Sequence, residues 1–323
     1  MLGTDSRVLA FLCCLAVLPP ASAGAPPRQS LADTQRKAEH GDPISQNRLG
    51  EMYSSGDSVD QDKQAALGWF RKAAHLGNPD AMCNLGVAYY NGAGVSTNDS
   101  LSLAWFLAAQ RAGCDRATDA VQRAQSQLRP WDVLRAYNQL AEMYHKGEEL
   151  PKDEKEAIRW WRMSASNGDV DAQIALAVTL LSGREASLDA VEGRHWCDEL
   201  EKKHDPRGAY CLGYIAQKGL GEAMDLPRAR RYYSKASEGH YLPAMRLLAG
   251  MEANGEGGKI DRVSASVLYA RVASTGERDA LQPLAVLRTQ MSADEWKKVR
   301  KELLLFKISP QKLEADLQGA HSQ

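Results

Sequence analysis

Long apolar stretches are scarce in this 323-residue chain, and so is charge of one sign. The apolar run Val8 to Leu18 falls well short of the roughly 20 residues that cross a bilayer, which excludes a polytopic membrane protein and speaks against a permanent anchor. Lys and Arg number 40 against 41 Asp and Glu, so the net charge is -1 and no basic field exists to draw the chain onto nucleic acid. Catalytic signatures are missing too: there is no His-Glu-x-x-His, no nucleophile elbow and no phosphate-binding glycine loop. What is present, 44% hydrophobic and 25% charged residues, is the balance of a water-soluble fold and excludes wholesale disorder. A chain of this length is either two domains of about 150 residues or a linear array of repeats.

Residues 1–23 read as an export signal. Arg7 supplies the positive start, Val8 to Leu18 the apolar core, and Ala21-Ser22-Ala23 the small residues that a signal peptidase requires, so cleavage is expected after Ala23. Cys13 and Cys14 follow the bulky Phe11 and Leu12, which speaks against lipidation. Residues 24–41 are expected to form a leader, extended at Pro26-Pro27, and the start of the first helix.

The rest of the chain repeats. Leu49, Leu85, Leu140, Leu176, Leu212 and Leu248 recur every 36 residues, with one step lengthened by a 19-residue insertion. A glycine follows each leucine in phase (Gly56, Gly92, Gly147, Gly183, Gly219, Gly255), then an Asp or Asn (Asp62, Asn98, Asp153, Asp189, Asp225, Asp261). A large apolar residue completes the register at Trp69, Trp105, Trp160, Trp196, Tyr232 and Leu268. Such self-similarity marks stacked supersecondary units. A first helix carries the leucine and, beside it, a small residue (Gly50, Gly86, Ala141, Ala177, Gly213, Ala249) that lets a neighbour approach. The glycine ends that helix in a left-handed turn, and the Asp or Asn caps a second helix that carries the Trp. Gly77, Gly113, Gly168 and Gly276 close the second helices.

The pattern Ala-x-x-x-Leu-Gly-x-x-Tyr-x-x-Gly-x-Gly-Val, whole in Ala81 to Val95 and followed by Trp105 and Ala108-Ala109, resembles the Sel-1-like repeat, a relative of the tetratricopeptide repeat. The resemblance covers residues 42–113 and 136–278, and it is weakest in copies four and six, where Leu180 and Glu252 stand in the tyrosine column. It implies an all-α fold, a right-handed superhelical solenoid of about six helix-turn-helix repeats. Repeats one and two occupy 42–113, an extra helix at 114–135 makes a kink or boundary, and repeats three to six occupy 136–278. Capping helices follow at 279–310, the last of them begun by the Ser292/Glu295 capping box, and a flexible polar tail at 311–323.

Four cysteines remain after cleavage: Cys83, Cys114, Cys197 and Cys211. In a linear stack the first two lie far from the last two, so an oxidising compartment favours Cys83 with Cys114 and Cys197 with Cys211, the alternative being buried free thiols. Other chemistry is weaker. His195, Cys197, His204 and Cys211 have zinc-binding side chains but no compact ligand spacing. Asp57, Asp60 and Asp62 lack the ladder of a calcium loop, and Asn98-Asp99-Ser100 is a glycosylation acceptor only in a eukaryotic secretory route. Ser309 and Lys312 satisfy Ser-x-x-Lys beyond the last repeat. No catalytic residue, metal ligand or cofactor is therefore assigned.

The resemblance implies a non-catalytic scaffold or regulator of an envelope complex, periplasmic or secreted, that holds a protein or peptide on the concave face of the solenoid. Asn47, Asn84, Asn138 and Tyr210, non-core positions of the first helices, are the expected contact residues. The alternatives are a binder or hydrolase of cell-wall fragments or β-lactams, and a secreted protein acting on a host.

Overall fold

The computed structural model describes residues 30–182 and 189–320, which form 17 α-helices and one short 3-10 helix, with no strand among the described residues. The export signal expected at 1–23, its cysteines and Gly183 of the glycine column lie outside the described residues. The chain divides into two compact units at Asn167/Gly168. Unit 1 holds α1 (Leu31–Glu39), α2 (Pro43–Ser55), α3 (Lys63–His75), α4 (Pro79–Asn91), α5 (Asp99–Arg111), α6 (Arg116–Gln127), α7 (Pro130–Lys146) and α8 (Glu154–Ser166). Unit 2 holds α9 (Val170–Ser182), α10 (Ala190–Lys202), α11 (Pro206–Lys218), α12 (Leu226–Glu238), α13 (Leu242–Asn254) and α14 (Arg262–Ser274). The 3-10 turn Arg278–Ala280, α15 (Leu281–Gln290), α16 (Ala293–Leu305) and α17 (Pro310–Ala320) complete it.

The helices start and stop where local chemistry dictates. Asp62, Asn98, Asp153, Asp189, Asp225 and Asp261 each accept backbone amides at the start of a second helix, meeting donors that would otherwise be orphaned. First helices use Asp42, Asn78 and Asp205 in the same way, each followed by a proline whose missing N–H costs nothing there. Gly56, Gly92, Gly147, Gly219 and Gly255 end first helices at φ between 67° and 79°. The second glycine of the loop is needed for a different reason. A Cβ on Gly94 would lie 2.8 Å from the carbonyl oxygen of Lys63, where the loop rests on the preceding hairpin.

Within a hairpin the leucine column is buried throughout. In hairpins one, two and five the small residue beside it receives a ring from the second helix. A Cβ on Gly50 would lie 2.6 Å from the ring of Phe70, on Gly86 2.8 Å from Phe106, and on Gly213 2.7 Å from Tyr233. Close packing of this kind leaves no room for a methyl group.

Residues 31–39 form α1 within the stretch expected to begin the first helix, and Gly41 at φ 90° with the Asp42 cap separates it from α2. Three expectations are corrected. The insertion ends earlier than 135: α6 is the extra helix, and Pro130 opens α7, the long first helix of repeat three. Nor does it part the stack, since α7 packs on α5 and the boundary between units falls at residue 167. The stretch from Gln311 is not a flexible tail as far as Ala320: Leu313 and Leu317, one helical turn apart on α17, are buried in the core of unit 2.

Candidate functional site

Four side chains were expected to form a partner surface. In unit 1, Asn84 Nδ2 donates to Asn47 Oδ1 at 2.9 Å, and Asn47 Nδ2 donates to Glu51 Oε1 at 3.0 Å, so α2 and α4 are linked by a short amide relay. Asn47 is thereby withdrawn from the surface: it is buried, and both ends of its amide are engaged. Asn138 on α7 is half-buried, and its Oδ1, like Oε1 of the adjacent Gln139, is shielded without a hydrogen-bond partner among the described residues. A buried acceptor left unmet costs about 1–3 kcal/mol.

Tyr210 lies in unit 2 on α11, where the chain forms a cavity of about 160 Å³. Ile174, Val178, Tyr210, Tyr214 and Tyr241 stand around it, and Ala177, Leu181 and Leu200 are fully or nearly fully buried at its base. The Tyr210 ring meets Tyr241 edge-on at 5.1 Å between centroids and tilts against Tyr233 at 5.8 Å. Burial pushes the phenols of Tyr210 and Tyr241 above their ordinary value, so both stay neutral through the physiological range. Arg207 also lines the cavity, and its guanidinium is held by Asp205 at 2.7 Å and Asp171 at 3.0 Å. The hydrogen bond to Asp205, with that to Asp171, strengthens its hold on its proton.

The cavity escaped the sequence reading. So did the column that shapes it, one residue past the Trp column: Phe70, Phe106, Trp161, Cys197, Tyr233 and Tyr269. The signal was available as a ring in five copies and a cysteine in one.

The other candidate groups are occupied. Cys83 is bonded to Cys114 (Cα–Cα 7.0 Å) and Cys197 to Cys211 (Cα–Cα 5.7 Å), which takes both sulfurs from any zinc site with His195 and His204. His195 meets Trp196 edge-on at 5.0 Å between centroids. Ser309 Oγ accepts the backbone amide of Lys312, the other member of the Ser-x-x-Lys pair, at 3.3 Å, so it serves the start of α17. Asp62 caps α3 and Asp57 accepts from Ser58, both within one loop. Asn98 Oδ1 caps α5, and Ser100 of the same triplet is buried.

With the hairpins in view, comparison with known proteins is direct. The Sel1 repeat family matches residues 43–78, 79–114, 134–169 and 206–241. The chain carries four Sel1 repeats. Residues 170–205 and 242–277 lie between and beyond these matches, and they contain the weakest copies, with Leu180 and Glu252; both still form helix pairs, α9 with α10 and α13 with α14. An uncharacterized protein of Neisseria meningitidis serogroup B is 34% identical over 113 residues, 35% of this chain and 23% of that protein. The match thus spans about a quarter of the relative's length. Among solved structures, a protective antigen present in uropathogenic Escherichia coli strains, displaying an SLR fold, is 25% identical with a TM-score of 0.48, over 85% of this chain and 56% of that one. A Sel1 repeat protein from Oxalobacter formigenes is 23% identical with a TM-score of 0.47, over 74% of this chain and 86% of that one.

Proposed function

We propose that this protein is a non-catalytic scaffold or regulator of an envelope complex, exported and periplasmic or secreted, that binds a protein or peptide through the exposed sides of its first helices. The observation that carries this reading is the apolar, aromatic-edged cavity on α9 and α11 of unit 2. It offers an anchor pocket of the kind that holds an apolar side chain while a polar rim orients the chain that bears it. Two disulfides are consistent with an oxidising compartment, and no described helix is long and apolar enough to cross a membrane. The capping role of Ser309 weighs against the hydrolase alternative.

The test is affinity purification of the full chain from an envelope fraction after brief crosslinking, with identification of what is retained. A stoichiometric protein partner, lost in Tyr210→Ala, Asn84→Ala or Asn138→Ala variants that stay folded, is the expected result. Retention of purified peptidoglycan with no protein partner would overturn it.

A further inference from the structure

Five of the six second helices carry a ring one residue past the Trp column; the fourth carries Cys197 there. Gly50, Gly86 and Gly213 show how fully such a ring occupies the space over the small residue of its own first helix, since no Cβ could be added under Phe70, Phe106 or Tyr233. Ala177 is the small residue of the fourth hairpin. The sulfur of Cys197 is bonded to Cys211 on α11, the next first helix, so no ring from α10 at that position covers Ala177. Ala177 lines the cavity of about 160 Å³ together with Cys211, the disulfide partner of Cys197.

Size and chemistry then define the occupant. An apolar protein cavity of about 150 Å³ takes up benzene, so this one has room for a single six-membered ring. Its base is hydrocarbon, from Ala177, Leu181 and Leu200. The one cation on its lining, Arg207, is matched by two carboxylates, which leaves no unbalanced positive charge to attract an anion. An incoming ring would join Tyr210 and Tyr241, already packed edge to face, in the geometry aromatic clusters prefer.

We propose that the cavity bounded by α9, α11 and Tyr241 is a binding site for one uncharged aromatic ring of benzene or phenol size, which replaces the ring missing from the fourth repeat. The ring is the side chain of a bound phenylalanine or tyrosine, a source that rests on the scaffold reading above, or a free monocyclic compound.

Toluene is the probe, titrated into the oxidised full-length protein while side-chain methyl resonances are followed. Saturable shifts at Leu181 and Leu200 are expected. Ala177→Leu, which grows into the cavity, weakens binding about tenfold or more. Val178→Trp, at the exposed mouth, does the same without altering the core and serves if the first variant fails to fold. Absence of shifts at both leucines, or equal affinity in both variants, overturns the site. A Gly/Ser heptapeptide with one central Phe distinguishes the sources: displacement of toluene assigns the ring to a polypeptide, and no displacement assigns it to a free compound. Because toluene needs no partner, the site and the scaffold reading fail separately.

Discussion

Gly208, on α11, meets α10 at backbone range: a Cβ there would lie 2.8 Å from the carbonyl carbon of Leu200 and 2.9 Å from the carbonyl oxygen of Cys197. Main-chain atoms cannot swing aside, so Gly208→Ala is expected to lower the stability of unit 2 by about 2 kcal/mol in urea unfolding. Gly68, exposed on α3 with no atom within 4 Å of an added Cβ, provides the contrast, and Gly68→Ala should stabilise unit 1 by about 0.5–1 kcal/mol. Asp205 answers to pH. Its hydrogen bond with the Arg207 side chain holds its carboxyl below the ordinary 3.8. A lowered folded value means that its ionised form stabilises the fold above that ordinary value, and that the contribution is lost as pH falls through the depressed one. Asp205→Asn keeps an oxygen for the α11 amides but removes the charge. Its stability deficit relative to the parent, read from urea midpoints, should therefore be level between about pH 5 and 7 and shrink on acidification below about pH 4.

Helix caps and helix docking give the next set of expectations. Asp153 Oδ1 accepts the amides of both Lys155 and Glu156, and Asp153→Ala should cost unit 1 about 1 kcal/mol, most of which Asp153→Asn restores. Leu313→Ala should cost unit 2 about 2 kcal/mol and speed amide exchange along α17, whereas an undocked α17 would leave both unchanged. The elements that were legible in the sequence are those whose chemistry recurs: a cap at Asp62 gains meaning when Asn98 and Asp153 stand in phase with it. Helices α1 and α17 have no second copy, and each buries few side chains amid polar residues, Thr34 with Ala38 in one and Pro310, Leu313 and Leu317 in the other. Periodicity has nothing to act on there. The ring column was masked by its neighbour: Trp69 and Phe70 are adjacent on α3, yet Phe70 is buried and Trp69 only half-buried. Composition alone does not tell which of two adjoining faces a small residue opposite will admit.

Among the described residues each unit carries one disulfide, and each bond closes a short stretch of chain, 31 residues apart in one and 14 in the other. Replacing Cys83 and Cys114 together by alanine should destabilise unit 1 by about 3 kcal/mol, seen as faster amide exchange over 79–114, with exchange beyond Gly168 unchanged. The Cys197/Cys211 double variant should show the reverse pattern. Contact residues were the least legible part, because Asn47, which reads as a surface amide, spends its polar atoms on Asn84 and Glu51. The corner at Gly94 adds a constraint on growth. That corner is wedged against Lys63, so an added residue would lift it off, whereas the turn from a second helix to the next first helix already accommodates the 12-residue α6 while α7 stays docked on α5. A reporter domain or epitope spliced into such a turn, for instance at Gly276, where an added Cβ would meet no atom within 4 Å, would be carried as cargo by an otherwise intact array.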